Sequence, residues 1–380
     1  MSNDIYFKLG ERINQFEGKI AIVESFLKIL REMYTEQEAE FASNIPHGAF
    51  TAGELAQMLG NDEAEITALL KTMSDKGTVF NYLSEAGGQK YELTPFFPGA
   101  IEYYMLKRME KPGEIKRVLD LGTKLQEEAM ELIGKLMTED PAKAVELLTP
   151  APHFRTLTIN ESLPDKREVL PYESALTMIE KETSFAAMIC ICRDQVGPNT
   201  SGLCQVKGAP EHSCLSFGKI ADFIVEHQFG RAKRLTKQEC KETLEACNKA
   251  GLVQNANNFV DGLQFICNCC ACCCSVVKHA RQFGPSAMIN TANFAPVVDE
   301  SSCTGCGACV DRCPMEAISL KNDVAFINQS GCVGCGNCAP LCPVECISMV
   351  RVSDKKPELG DKRIGLGAAE SFGSIYGSPA

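Results

Sequence analysis

The chain has 380 residues, 45% apolar and 23% charged, enough for two or three globular domains and too ordinary a mixture for a fibrous or disordered protein. Its formal charge of −11 disfavours general affinity for nucleic acid or an anionic membrane surface. All 21 cysteines follow position 189, in metal-type spacings rather than those of a small disulfide scaffold.

The start, Met1 to Lys8, carries no apolar h-region, and no stretch of about 18 apolar residues occurs. A cytoplasmic, reducing location without a transmembrane segment is therefore expected. Residues 10–42 show helical periodicity through Ile13, Phe16, Ile20, Val23, Phe26, Leu27 and Leu30, with a break expected near Tyr34-Thr35. Thr51-Ala-Gly-Glu54 has the form of a capping box opening a helix to Leu59, and Asn61 or Asp62 caps a second that Gly77 ends. Residues 78–83 and 89–93, around Gly87-Gly88, read as a hairpin.

This helix, helix, hairpin order resembles a winged-helix domain, and the resemblance implies DNA binding. Charge speaks against it. Residues 50–95 carry Glu54, Asp62, Glu63, Glu65, Asp75, Glu85 and Glu92 against Lys71, Lys76 and Lys90, a net of −4. A recognition helix opening Asp62-Glu63-Ala64-Glu65 would face phosphates with like charge, so a protein-docking role is expected and no nucleic-acid partner. After Thr94-Pro-Phe-Phe-Pro-Gly99, a helical stretch from Ile101 to about Met137 holds Lys107, Arg108, Lys111, Lys116 and Arg117, either a solvated face or a docking surface for an acidic redox partner. Residues 138–172, with five prolines, read as an irregular connection.

In the middle of the chain, Phe185 to Arg193 is apolar and β-prone. A strand there puts Cys190 and Cys192 on one face. The loop from Gly197 to Gly208 supplies Cys204, Glu211-His212-Ser213-Cys214 follows, then come a helix over 218–229 and another capped by Thr236, in which Cys240 and Cys247 read as core packing. The run Cys267-Asn-Cys269-Cys270-Ala-Cys272-Cys273-Cys274 places six thiols in eight residues, leaving a strand near Cys269 and entering a helix from about Cys272 to Gln282. So many adjacent thiolates repel unless a metal or protons neutralise them. Cys190, Cys192, Cys204, Cys214, Cys267, Cys269, Cys270, Cys272, Cys273 and Cys274 are thus candidate metal ligands, enough for one cluster with spare thiols or for two. Spacing leaves open which of them ligate. His212 and His279 are ligands of last resort, and Arg193 is a donor to a sulfide or an ordinary ion-pair partner.

Cys303-Thr-Gly-Cys306-Gly-Ala-Cys309-Val-Asp-Arg-Cys313-Pro314 recurs as Cys332-Val-Gly-Cys335-Gly-Asn-Cys338-Ala-Pro-Leu-Cys342-Pro343, each a C-x2-C-x2-C-x3-C-P run of the kind that holds a [4Fe-4S] cube. At an offset of 29, residues 303–319 and 332–348 agree at 10 of 17 positions, which marks a duplication. Gly305, Gly307, Gly334 and Gly336 are expected to let backbone N–H groups approach the sulfides. The module resembles bacterial dicluster ferredoxins. That resemblance implies that Cys303, Cys306, Cys309 and Cys342 hold one cube, and Cys332, Cys335, Cys338 and Cys313 the other. Cys346 reads as a small core residue.

The whole order resembles a family of cytoplasmic iron–sulfur proteins of anaerobic bacteria: winged helix, Thr-Pro-Phe-Phe-Pro-Gly, Cys-x-Cys-Arg, the Cys-Asn-Cys-Cys-x-Cys-Cys-Cys run and a dicluster module. The likeness covers most of residues 10–350. The expected fold is α+β and multidomain: a helical, winged-helix-like domain over 1–137, a Cys-rich domain over 138–295, a 2[4Fe-4S] ferredoxin-like domain over 296–350 and a Gly-rich tail over 351–380. The expected function is electron transfer to a partner oxidoreductase through two C-terminal [4Fe-4S] clusters and at least one further iron–sulfur cluster in the middle domain. Two alternatives are an iron–sulfur reductase with its catalytic site at the middle cluster and a redox-responsive regulator. No Rossmann fingerprint, P-loop or radical-type Cys triad supports an enzyme.

Overall fold

The computed structural model describes residues 4–17, 20–84, 86–148, 154–163, 169, 173–194, 204, 206–258, 263–285 and 289–357. These form two compact units, one from residues within Met1–Pro150 and Glu226–Gly230, the other from residues within Ala151–Val225 and Arg231–Asp361.

The first unit opens with helices Ile5–Glu17, Glu24–Met33 and Glu36–Asn44. Leu9, Ile13, Phe26, Leu30 and Met33 are buried at their common core. The chain breaks at Tyr34-Thr35 as expected, because Thr35 and Glu38 close a capping box. It also breaks after residue 17, where the Asn14 side chain donates to Ile20 O at 2.7 Å and accepts from Ile20 N at 2.8 Å. Thr51 and Glu54 cap helix Ala52–Leu59, and Asp62 accepts from Ala64 and Glu65 to cap helix Glu63–Lys76. Gly77 ends that helix at φ +82°, and strands Val79–Leu83 and Gln89–Leu93 pair antiparallel.

The stretch expected as one helix from Ile101 is two, Ile101–Leu106 and Pro112–Glu139. Proline at the first turn of the second helix suits its start and not the interior of a longer one. The basic run is paired within the fold. Lys107 donates to His227 O, Arg108 and Lys111 meet Glu114, Lys116 meets Asp120, and Arg117 meets Glu32. Segment Glu226–Gly230 belongs here too. Its His227 is buried between Asp75 Oδ1 and Asn81 Oδ1, each at 2.8 Å, and Phe229 lies against Tyr103.

In the second unit a seven-stranded mixed sheet runs in the order Lys233–Leu235, Phe185–Ile189, His212–Phe217, Phe265–Cys269, Val253–Asn257, Phe154–Thr156, Ile289–Asn290. One of its faces is apolar. Ala187, Leu215, Ile266 and Ala256 point to helices Ala175–Lys181 and Lys237–Lys249, whose Ile179, Cys240 and Leu244 complete the core. The other face carries Cys214 opposite Cys267, and Cys267 opposite Asn255.

Three expectations need correction. The strand before the first thiol pair stops at Ile189, and Arg193 N and Asp194 N both donate to Cys190 O at 2.9 Å, so Cys190 and Cys192 sit in a turn and not on a strand. The helix after the thiol run begins at Ser275 with Cys274 as its N-cap, which leaves Cys272 and Cys273 in a turn. The irregular connection over 138–172 contains helix Pro141–Leu148 and a strand, Phe154–Thr156, inside the sheet.

The C-terminal part pairs Phe294–Val298 with Ile347–Arg351 and Ile318–Lys321 with Val324–Ile327, around the short helix Ala308–Arg312. It is joined to the sheet by directed bonds. Ile159 N donates to Cys335 O at 3.0 Å, Thr158 Oγ1 to Gly334 O at 2.7 Å, and Ser162 Oγ to Gly336 O at 2.7 Å. Arg351 grips Glu173 at 2.7 Å. Beyond Arg351 the chain follows this part as far as Pro357, with Val352 N and Lys355 N held by Asn293. The Gly-rich remainder of the tail lies outside the described residues.

Candidate metal centres

The duplicated loops gather eight thiols into two groups. Cys303, Cys306, Cys309 and Cys342 line one open cavity with Leu320, Val344 and Cys346. Cys313, Cys332, Cys335 and Cys338 stand close enough to act on one another's charge. In each group the last thiol comes from the other repeat.

Local backbone serves these thiols. Ala325 N points at Cys303 Sγ at 3.5 Å, Ala317 N at Cys313 Sγ at 3.3 Å, Gly334 N at Cys332 Sγ at 3.4 Å and Cys346 N at Cys342 Sγ at 3.3 Å. The N–H groups of Ala325 and Gly305 hold Cys303 below the usual thiol range. In the other group burial pushes Cys335 up to about 12 and raises Cys338 as well, so these enclosed thiols call for a cation if they are to act as thiolates.

The glycines have a more immediate reason than the approach to sulfide. At Gly334, φ is +73° and a Cβ would sit 2.2 Å from Phe294 O; at Gly305, φ is +65° and a Cβ would sit 2.4 Å from Asp323 O. Cys346 is buried as expected, but its Sγ is 3.4 Å from Cys342 Sγ, a partner for a ligand rather than inert filling. Loops, donors and cavity together fit thiolate-bound clusters.

Residues 295–349 match the family model of the 4Fe-4S dicluster domain. The match speaks for that domain alone. No curated protein and no solved structure matches the chain.

Upstream of the dicluster domain the ten middle thiols divide. Cys204, Cys270, Cys272 and Cys273 bring their sulfurs within 4.8 Å of one another. Three of the separations are 3.7 Å (Cys204 to Cys270), 3.6 Å (Cys204 to Cys272) and 3.7 Å (Cys272 to Cys273). A tetrahedron of thiolates around one ion with metal–sulfur bonds of about 2.3 Å has edges of about 3.8 Å, so this tetrad can hold a metal with little movement. It packs on Leu252 and Cys247.

Cys190, Cys192, Cys214, Cys267, Cys269 and Cys274 are not part of the tetrad. Cys204 and Cys214, which spacing left as competitors, therefore go to different groups. Cys240 lies in the apolar core beneath the sheet, as its helical position suggested. His212 Nε2 is 3.0 Å from Arg231 O, and His279 stacks on Phe283. Arg193 does not serve as a simple ion-pair partner: its Nη2 donates to Pro210 O at 2.9 Å and to Ser213 Oγ.

One link between the dicluster domain and the tetrad runs through Asn337. Asn337, between Cys335 and Cys338, donates Nδ2 to Leu252 O at 3.2 Å and to Gly251 O at 3.3 Å. The Leu252 side chain packs against Cys270 and Cys273. Nothing in the sequence marks Leu252; the adjacent Gly251 is the only local signal.

Proposed function

We propose that the chain is an electron-transfer protein that passes electrons between a redox partner protein and a metal held by its thiol-rich sheet, by way of two [4Fe-4S] clusters in the dicluster domain. When bound, such clusters supply one-electron couples whose potentials span about −700 to +450 mV depending on surroundings. Cys303, Cys306, Cys309 and Cys342 would hold the outer cluster and Cys313, Cys332, Cys335 and Cys338 the inner one.

The Asn337 to Leu252 link carries this reading. It leaves a single packed residue between the buried ligand loop and the tetrad, and electron transfer falls steeply with each added layer of protein. At the other end Cys306 is exposed, and Leu320 and Val344, which line the cavity of that ligand group, are 42% and 40% exposed. An apolar rim around an accessible ligand suits a transient redox partner.

The first unit would serve docking, as a winged-helix-like module without DNA. Asp62, Glu63 and Glu65 are all exposed at the start of its second capped helix, which favours a protein partner over a phosphate backbone. The proposed setting is a reducing cytoplasm. No described helix is long and apolar enough to cross a membrane.

Anaerobic potentiometric titration followed by EPR tests the proposal. Reversible one-electron signals from the dicluster domain are expected, unchanged by added small molecules. A substrate-induced change in the cluster spectrum would favour the reductase, and absence of any reducible centre would end the electron-transfer reading.

A further inference from the structure

The six thiols outside the tetrad meet from three adjacent strands and the elements that leave them. Cys214 and Cys267 are cross-strand partners, and Cys269, two residues on, shares their face. Cys190 and Cys192 occupy the turn after strand Phe185–Ile189, next to strand His212–Phe217, and Cys274 is the N-cap of helix Ser275–Phe283.

Their thiols close a ring. Neighbours around it stand close enough to feel one another's charge: Cys190 acts on Cys192 and Cys214, Cys214 and Cys269 on Cys267, Cys269 on Cys274, and Cys274 on Cys192. Every member has two thiol neighbours, and no pair stands apart. None belongs to the apolar core on the opposite face, where Cys240 shows how a packing cysteine sits in this fold.

Two buried donors confront the ring without an oxygen or nitrogen acceptor among the described residues. Thr156 Oγ1 donates to Asn255 Oδ1 at 2.8 Å, which fixes the amide so that Nδ2 faces Cys269. Arg193, next in sequence to Cys192, keeps Nη1 buried and unpartnered. The Asn255 Nδ2 and Arg193 Nη1 groups, oriented by bonds at the other ends of their side chains, match the outer hydrogen bonding of anionic sulfide and thiolate.

We propose that Cys190, Cys192, Cys214, Cys267, Cys269 and Cys274 form a second centre in the thiol-rich sheet, separate from the tetrad, that binds one iron–sulfur cluster through six thiolates. The inference rests on the iron–sulfur reading above. A single cube has four irons and takes four thiolates. Six equivalent thiols fit two cubes instead, with three thiolates to each and the remaining corner irons joined through a shared sulfide. The class of ligand is thus a fused cluster of about eight irons.

The full chain, prepared anaerobically, tests this by native mass spectrometry with iron and sulfide assay. Cys214→Ser with Cys267→Ser should lose about eight irons while keeping the about eight of the dicluster domain and its reduced EPR signal. Cys240→Ser and Cys204→Ser should keep the iron that the double variant loses. Unchanged iron in the double variant, a loss of four or fewer, or the same loss from Cys204→Ser would overturn the proposal. Should the double variant fail to fold, the wild-type mass decides. Bound iron and sulfide in excess of two cubes by more than one further cube supports the six-thiol cluster, and an excess of one cube or none refutes it. Iodoacetamide adds a readout independent of activity: the six thiols should resist alkylation until the iron is chelated, and labelling without iron loss would contradict ligation. Failure of the electron-transfer role would appear separately, in the titration of the dicluster signals.

Discussion

Single residues set the conditions for both the loops and the helices. Gly334 is confined twice, by a left-handed φ and by Phe294 O where a side chain would go. Gly334→Ala should therefore displace the Cys332–Cys338 loop, costing about 3 kcal/mol or more in stability and lowering iron retention, both readable by thermal melting and iron assay. Wild-type iron and melting would show that the loop yields freely. Glu102, in the first unit, accepts from Gly99 N at 2.7 Å, and burial raises its pKa to about 7 from 4.5. Its neutral form suits the fold, so the stability it contributes is full below pH 4.5 and is lost as pH rises through 7. Glu102→Gln should be near neutral at pH 5 and stabilising by about 2 kcal/mol at pH 8, and an equal change in Tm at the two pH values would contradict that sign. Spacing alone singles out the eight duplicated thiols, whereas their division into two groups of four came from the resemblance. Cys346 was half legible: burial follows from its place in the repeat, but its closeness to Cys342 arises because the turn after Pro343 brings the chain back by four residues.

Elements were legible where a local signal exists. Capping boxes at Thr51 and Thr236, Asp62 as N-cap and Gly77 as terminator all act where the sequence puts them. Strand Val253–Asn257 was not, because Val-Gln-Asn-Ala-Asn shows no alternation and is nevertheless buried throughout. One end of each amide side chain finds a tertiary partner: Asn255 Oδ1 accepts from Thr156, Gln254 Nε2 donates to Asn248, and Asn257 Oδ1 accepts from the Gln264 N–H. Periodicity cannot register such bonds. The joint between that strand and the dicluster domain belongs to the same scale. Arg312 Nη2 donates to Asn248 O at 2.7 Å and Lys249 O at 2.9 Å, satisfying the end of helix Lys237–Lys249. Arg312→Ala should cost about 1–3 kcal/mol and speed hydrogen exchange around residues 249–253, while Cys303 and its partners keep their iron. Unaltered exchange there would mean that the bonds of Asn337, Thr158, Ile159 and Ser162 hold the joint without Arg312.

Across the whole molecule, the mixed α+β character and the ferredoxin-like C-terminal domain followed from the order of motifs, whereas two arrangements could not. Glu226–Gly230 joins the first unit because His227 finds Asp75 and Asn81, residues 152 and 146 positions away in sequence. The ten middle thiols divide into four and six because a sheet and two turns sort them, and adjacent residues such as Cys269 and Cys270 go to different groups. Spacing carries neither fact.

The proposed role depends on the inner ligand loop communicating with the thiol-rich sheet through Asn337 and Leu252. Anaerobic potentiometric titration monitored by EPR measures this most directly, since two centres in contact perturb each other's spectra. Reversible one-electron reduction of the dicluster signals is expected, with magnetic interaction between one of them and a centre in the sheet that disappears in Cys270→Ser. A dicluster spectrum free of interaction, identical in wild type and Cys270→Ser, would contradict the proposed role.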